Sequence, residues 1–169
     1  MLKISDPVTA SAVAAGGASS TAIDLYTRRV PNVLTCGLAA AGITMAAVGV
    51  GSVTLPQALA GFAIGFIVML PGHIAGATGA GDVKLMAALG TLLGPRGALL
   101  AFFYTALAGG VLALVIALQR RMLRDTVARA AALVRTGGSN AGQIETIQVN
   151  RFAYAPAIAC GALAVVLGL

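Results

Sequence analysis

The sequence predicts an all-α polytopic membrane protein of about six transmembrane helices, and three observations carry that expectation. Of 169 residues, 59% are apolar and only 9% are charged, against about 25% charged in an ordinary soluble domain. The mean hydropathy is +0.95. The apolar residues fall in runs bounded by proline, glycine or charge, and each run is a candidate span of up to roughly 20 residues. This length leaves no room for an attached soluble domain, so residues 1–169 read as one membrane-embedded unit.

The first span is expected at 7–24. Its stretch Val8 to Ile23 is mostly Ala, Gly, Ser and Thr, and it reads as a retained helix because a secretory signal would be richer in leucine. The others are expected at 33–51, 55–72, 83–94, 97–118 and 152–169. The fifth is the clearest, since Gly97 to Leu118 contains no charge. The fourth, at about 12 residues, is short for a crossing and must tilt, extend backwards or span in part. Gly61 and Gly65, and again Gly90 and Gly94, have the spacing that lets membrane helices approach closely. The two cysteines, Cys36 and Cys160, lie far apart without CxxC spacing, which excludes a disulfide scaffold or zinc module and leaves them as expected packing residues.

Alternating six spans puts the 25–32, 73–82 and 119–151 loops on one side. Of the eleven basic residues, Arg28, Arg29, Lys84, Arg120, Arg121, Arg124, Arg129, Arg135 and Arg151 fall there, and only Lys3 and Arg96 fall opposite. By the positive-inside rule those loops are cytoplasmic and both termini lie outside. The net charge of +6 thus needs no nucleic-acid partner. In the long loop, Gln119 to Thr136 reads as an amphipathic segment, with Leu123, Val127, Ala130 and Val134 on one face and Arg120, Arg121, Arg124 and Arg135 opposite. Such a segment lies in the headgroup plane. A linker containing Gly137, Gly138 and Gly142 follows.

The acids are Asp6, Asp24, Asp82, Asp125 and Glu145. Asp24 and Asp82 come at the cytoplasmic ends of the first and fourth spans, hence at one membrane depth. An intramembrane carboxylate costs at least about 2.5–3.5 kcal/mol on insertion scales, which makes both functional candidates. Each also has a structural alternative: Asp82 as the N-cap of a helix beginning at Val83, and Asp24 as the partner of Arg28 one turn on. Gly79 and Gly81 leave two positions without a Cβ before Asp82, where a second backbone can approach. Pro31 disfavours helix at Val30, so the chain turns there. His73 has no second His or Cys nearby and reads as structural or exposed, while Lys84 either orients substrate or snorkels to the interface.

At these residues the sequence resembles the type IV prepilin leader peptidases, GxGD-type membrane-embedded aspartic peptidases. The resemblance rests on Asp24 with Arg28, Arg29, Val30, Pro31, Asn32 and Thr35, on Gly79, Gly81, Asp82, Lys84 and Leu85, and on Tyr154 to Ile158. It implies that Asp24 and Asp82 are the catalytic pair. Gly79, Gly81, Lys84, Arg28, Pro31 and Asn32 are then expected to position substrate or support the site. The substrate it implies is a prepilin with a short basic leader, cut at the cytoplasmic face of the bacterial inner membrane. Without the CxxC-bearing segment of larger members, the chain looks like the short form of tight-adherence (Flp) pilus systems, and no methyl transfer is expected. No metal or nucleotide cofactor is expected either. Two other readings remain at this point: a small proton-coupled transporter, for which no internal repeat is visible, and a non-catalytic assembly subunit.

Overall fold

A computed structural model describes residues 6–27, 30–76, 78–119 and 154–168. The described residues contain no strand, and their regular elements are all helices: α1 (Pro7–Thr27), α2 (Asn32–Ala47), α3 (Leu55–Ile74), α4 (Ala80–Gln119) and α5 (Ala155–Leu167). The amphipathic segment and linker expected after residue 119 lie outside the described residues, as do Arg28 and Arg29. Two helices are long and apolar enough to cross a membrane, Leu55–Ile74 and the run Ala80–Val111.

The ends of the helices follow from local chemistry. Asp6 begins α1, its carboxylate accepting the N–H of Val8 at 3.1 Å and of Thr9 at 3.4 Å, with Pro7 at the first helical position where no N–H is needed. Pro31, at φ −65° and ψ 140°, caps α2. In α3, Pro56 sits in the first turn, and Gln57 reaches back to accept the Thr54 N–H at 3.0 Å, one half of a capping box. Gly168, at φ 73°, ends α5 in the left-handed conformation glycine tolerates.

The spans expected at 83–94 and 97–118 form one helical run broken at Gly94, whose φ of 69° and ψ of −179° are not helical. Pro95 follows and favours such a break. Gly94 packs between helices as its spacing predicts, its carbonyl carbon 2.9 Å from where a Cβ of Gly61 would stand, and it also turns the chain. The turn is a reversal: Gly109 lies against the Tyr154 ring, and the charge of Asp82 also acts on Tyr154. In a straight helix, residues 82 and 109 would stand about 40 Å apart at 1.5 Å per residue. The first half of α4 begins at Ala80, three residues before the expected start, so the short fourth segment does extend backwards.

Close contacts give the register of the bundle. A Cβ at Gly61 would strike the Gly90 carbonyl oxygen, one at Gly65 would lie 2.6 Å from that of Met86, and Gly94 sits beside Gln57. Thus α3 runs antiparallel to the first half of α4, backbone on backbone, as glycines at this spacing permit. The second half pairs antiparallel with α5, Gly97 near Val165 and Gly161 against Ala101 and Thr105. Gly17 meets Ala159, so α1 lies antiparallel to α5, while α2 follows the first half of α4 with Gly42 against Thr91.

The first half of α4 is the centre. Leu85, Met86, Ala87, Ala88 and Leu89 are fully buried, and a helix apolar all round is one enclosed by others. Part of the polar and small content of α1 faces inwards: Thr9, Gly16, Gly17, Ser20 and Asp24 are buried with Val13, so the weak hydropathy of this helix reflects in part a small-residue face against the bundle. Ser20 and Thr105 bond their buried hydroxyls to their own helices, to the Gly16 carbonyl at 2.7 Å and to that of Ala101 at 2.6 Å, which spares them an unmet partner where water is absent. Cys36 and Cys160 are both exposed on the outer surface; neither is the packing residue expected, because each faces away from its neighbouring helices.

Candidate active site

One end of the bundle gathers the chemistry. Asp24 lies one turn before the end of α1 and is 5% exposed; Asp82 is the third residue of α4 and is 7% exposed. The other charged side chains among the described residues differ: Lys84 and Arg96 are exposed and Asp6 is half-buried. The two buried carboxylates lie near enough for the charge of Asp24 to act on Asp82. They stand 58 positions apart in the sequence, and the fold brings them together because α1 and α4 both pack against α5.

Backbone donors hold each carboxylate. Asp24 Oδ2 accepts the N–H of Ala155 at 3.3 Å. Asp82 Oδ2 accepts the N–H of Gly79 at 2.9 Å, so the helix starts before Asp82 and the residue is not its N-cap. Gly79 takes that place, and the aspartate reaches back from the third helical position. This bond fixes the side-chain orientation of Asp82 relative to the glycine loop.

The supporting residues fall around the pair. Lys84 Nζ donates to Asn32 Oδ1 at 2.9 Å, tying the start of α4 to the start of α2 at the surface. Pro31 sets the direction of α2, and Val30 just before it fills the space beside Gly81, where a Cβ would stand 3.2 Å from the Val30 Cβ. The close backbone approach expected at Gly81 is therefore made by this chain's own turn. Gly79 and Ala80 are exposed, and they form the open side of the loop. His73 Nδ1 lies 3.1 Å from the Thr78 carbonyl oxygen; a carbonyl only accepts, so that nitrogen carries a proton and the ring braces the end of α3 against the loop. The alternative pairing of Asp24 with Arg28 falls on a residue outside those described.

The sequence singled out Tyr154 to Ile158 through the resemblance but gave them no role in the site. Ala155 donates its N–H to Asp24 and Tyr154 stands within reach of the charge of Asp82, whereas the signal available locally, a proline in the first turn of a helix, marks only where α5 starts.

A model of the type IV leader peptidase family matches residues 12–114, which include both buried aspartates and the glycine loop. The chain belongs to the type IV leader peptidase family. It is accordingly a membrane peptidase of the prepilin-processing kind, and prepilins are the substrates its family implies. Neither a curated protein nor a solved structure matches the chain. The matched segment of the peptidase ends before α5, so the match does not bear on the contacts of Tyr154 and Ala155.

Proposed function

We propose that the peptidase is an intramembrane aspartic endopeptidase that removes the short basic leader of prepilins at the cytoplasmic membrane face, with Asp24 and Asp82 as its acid–base pair. The observation that carries this reading is that the two buried carboxylates among the described residues converge on one end of the bundle. Burying two acids together is costly, and among the described residues no basic side chain is buried with them to offset it, which favours a functional reason over a structural one.

The chemistry follows from the pair. Two neighbouring carboxyls do not both ionise readily, so the working pair holds one proton between them. The ionised member takes a proton from water as the water oxygen attacks the scissile carbonyl carbon. The protonated member hydrogen-bonds the carbonyl oxygen and then gives a proton to the leaving nitrogen as the C–N bond breaks. One water is consumed, and proton exchange restores the pair.

In this reading the six helical segments cross the bacterial cytoplasmic membrane with both termini outside, and the aspartate end faces the cytoplasm. The substrate's apolar helix lies in the bilayer while its basic leader stays in the cytoplasm. A peptide bond inside a regular helix is shielded, so the scissile position is a helix breaker such as Gly, extended along Gly79 and Ala80. The resemblance to short Flp-type members makes Flp-type prepilins the first substrates to try.

The test is cleavage of a synthetic prepilin by purified protein in liposomes. Asp24→Asn and Asp82→Asn each abolish cleavage while inserting normally, because an amide serves neither as base nor as acid. Asp125→Asn and Glu145→Gln cleave as the parent does. Retained cleavage in either of the first two removes the pair from the mechanism.

A further inference from the structure

We propose that the start of α5 is a positioning element of the peptidase site, in which Tyr154, seated on Gly109, holds the Ala155 N–H against Asp24. The proposal rests on the reading of Asp24 as one of the catalytic carboxylates.

The first residues of a helix carry N–H groups with no partner inside it, and a buried one must find a partner elsewhere. Ala155 is fully buried at the first position of α5. Pro156 follows and has no N–H, so of the first two helical positions only Ala155 donates. Its acceptor is Asp24 Oδ2, across 131 residues of chain. The bond fixes one oxygen of Asp24 and therefore the direction of the other, and it sets a helix N-terminus, the positive end of the dipole, beside the carboxylate.

What fixes Ala155 is the residue before it. The half-buried Tyr154 side chain lies on Gly109 by its phenolic end, so closely that a Cβ there would strike the hydroxyl oxygen and stand 2.8 Å from Cζ and 3.3 Å from Cε1. The Tyr154 carbonyl accepts the first bond of α5, from the Ile158 N–H at 3.1 Å. Further along, Gly161 packs directly on Ala101 and Thr105, so α5 is anchored independently over its middle and the tyrosine controls only its first turn. The ring also stands where the charge of Asp82 acts on it. One residue thus borders both carboxylates, its backbone beside Asp24 and its side chain towards Asp82.

Steady-state cleavage of a synthetic prepilin in liposomes tests this. Tyr154→Ala lowers kcat by about 10- to 100-fold, the scale on which an ångström of misplacement acts, with KM within about twofold of the parent. Tyr154→Phe keeps the ring and restores kcat. Gly109→Ala leaves Tyr154 in place but pushes on its ring, and lowers kcat in the same direction; it carries the test if Tyr154→Ala fails to accumulate. A kcat within twofold of the parent in the ring-displacing variants overturns the proposal, as does a rise in KM with kcat unchanged, which is substrate contact. Equal loss in Tyr154→Phe and Tyr154→Ala also overturns it, since the hydroxyl and not the packed ring would then matter. Asp24→Asn, assayed in parallel, separates the two ideas: if it still cleaves, the catalytic reading fails, whereas if it is inactive and Tyr154→Ala is fully active, only the positioning role fails.

Discussion

Asp82 carries a local task besides the chemistry proposed for it, because its carboxylate accepts the Gly79 N–H at the start of α4. An asparagine keeps an acceptor oxygen there and an alanine does not. Asp82→Asn is therefore expected to melt close to the parent while losing cleavage, whereas Asp82→Ala loses cleavage and on the order of 1 kcal/mol of stability. Thermal unfolding in detergent beside the cleavage assay separates the two roles. The sequence located this acid at a helix start but put it at the cap, since Asp is favoured both as N-cap and three residues later, and pattern alone does not choose between them. Asp6 is the reverse case: Asp before Pro is a helix-start signal, yet the residue was legible only as an acid preceding a span. The Thr9 hydroxyl at 2.7 Å and the Val8 N–H hold its carboxyl below the usual range. A depressed folded value stabilises above the unfolded value near pH 4 and is lost as pH falls through the folded one. The melting difference between the parent and Asp6→Ala is accordingly expected at neutral pH and should shrink below about pH 4; a difference constant with pH would mean that the charge of the cap contributes nothing.

Between elements, the decisive contacts are backbone to backbone. The small-residue spacing in the sequence marked Gly61, Gly65 and Gly90 as packing positions, and the structure pairs them across α3 and α4. It marked Gly94 in the same way, and the Gly94 backbone does meet Gly61; what the spacing did not show is that the chain also breaks there, for which the Gly-Pro dipeptide was the signal. The partners were not legible, since spacing identifies a face and not what it meets. Gly61→Ala and Gly90→Ala each drive a methyl into the opposing carbonyl, and neither backbone can yield without moving its helix. Each is expected to destabilise by about 1–3 kcal/mol, the usual cost of overpacking. Gly37, in α2, has nothing within 4 Å of where a Cβ would stand, so Gly37→Ala is expected to be neutral or to stabilise by up to about 1 kcal/mol. Melting temperatures of the three variants in one detergent give the contrast, and equal shifts would show that the glycines do not form the contact surface.

At the scale of the whole molecule, the chain passes from end to end of the bundle and each pass reverses the one before. Asp24, Asn32, His73, Lys84 and Tyr154 collect at one end. Asp6 and Thr9 meet Gly51 at the other, together with the Gly94 turn beside Val53. Composition and charge made the helical class legible, and the basic loops suggested which end faces the cytoplasm, but neither could bring residues 24, 82 and 155 together, because that depends on helix pairing between distant segments. The sidedness is testable with the same register. Ser52 is exposed at the Asp6 end and Tyr26 is 91% exposed at the aspartate end. The native thiols Cys36 and Cys160 are exposed and would react themselves, so both must first be replaced by serine. In that background Ser52→Cys is expected to react with an impermeant maleimide added to intact cells, and Tyr26→Cys only after the membrane is opened. The basic loops are what drive this orientation, and the leader can reach Asp24 and Asp82 only if it holds. Labelling of Tyr26→Cys in intact cells would put the carboxylates at the outer face, where a cytoplasmic leader is never presented, and the proposed cleavage geometry would fall even with the fold unchanged.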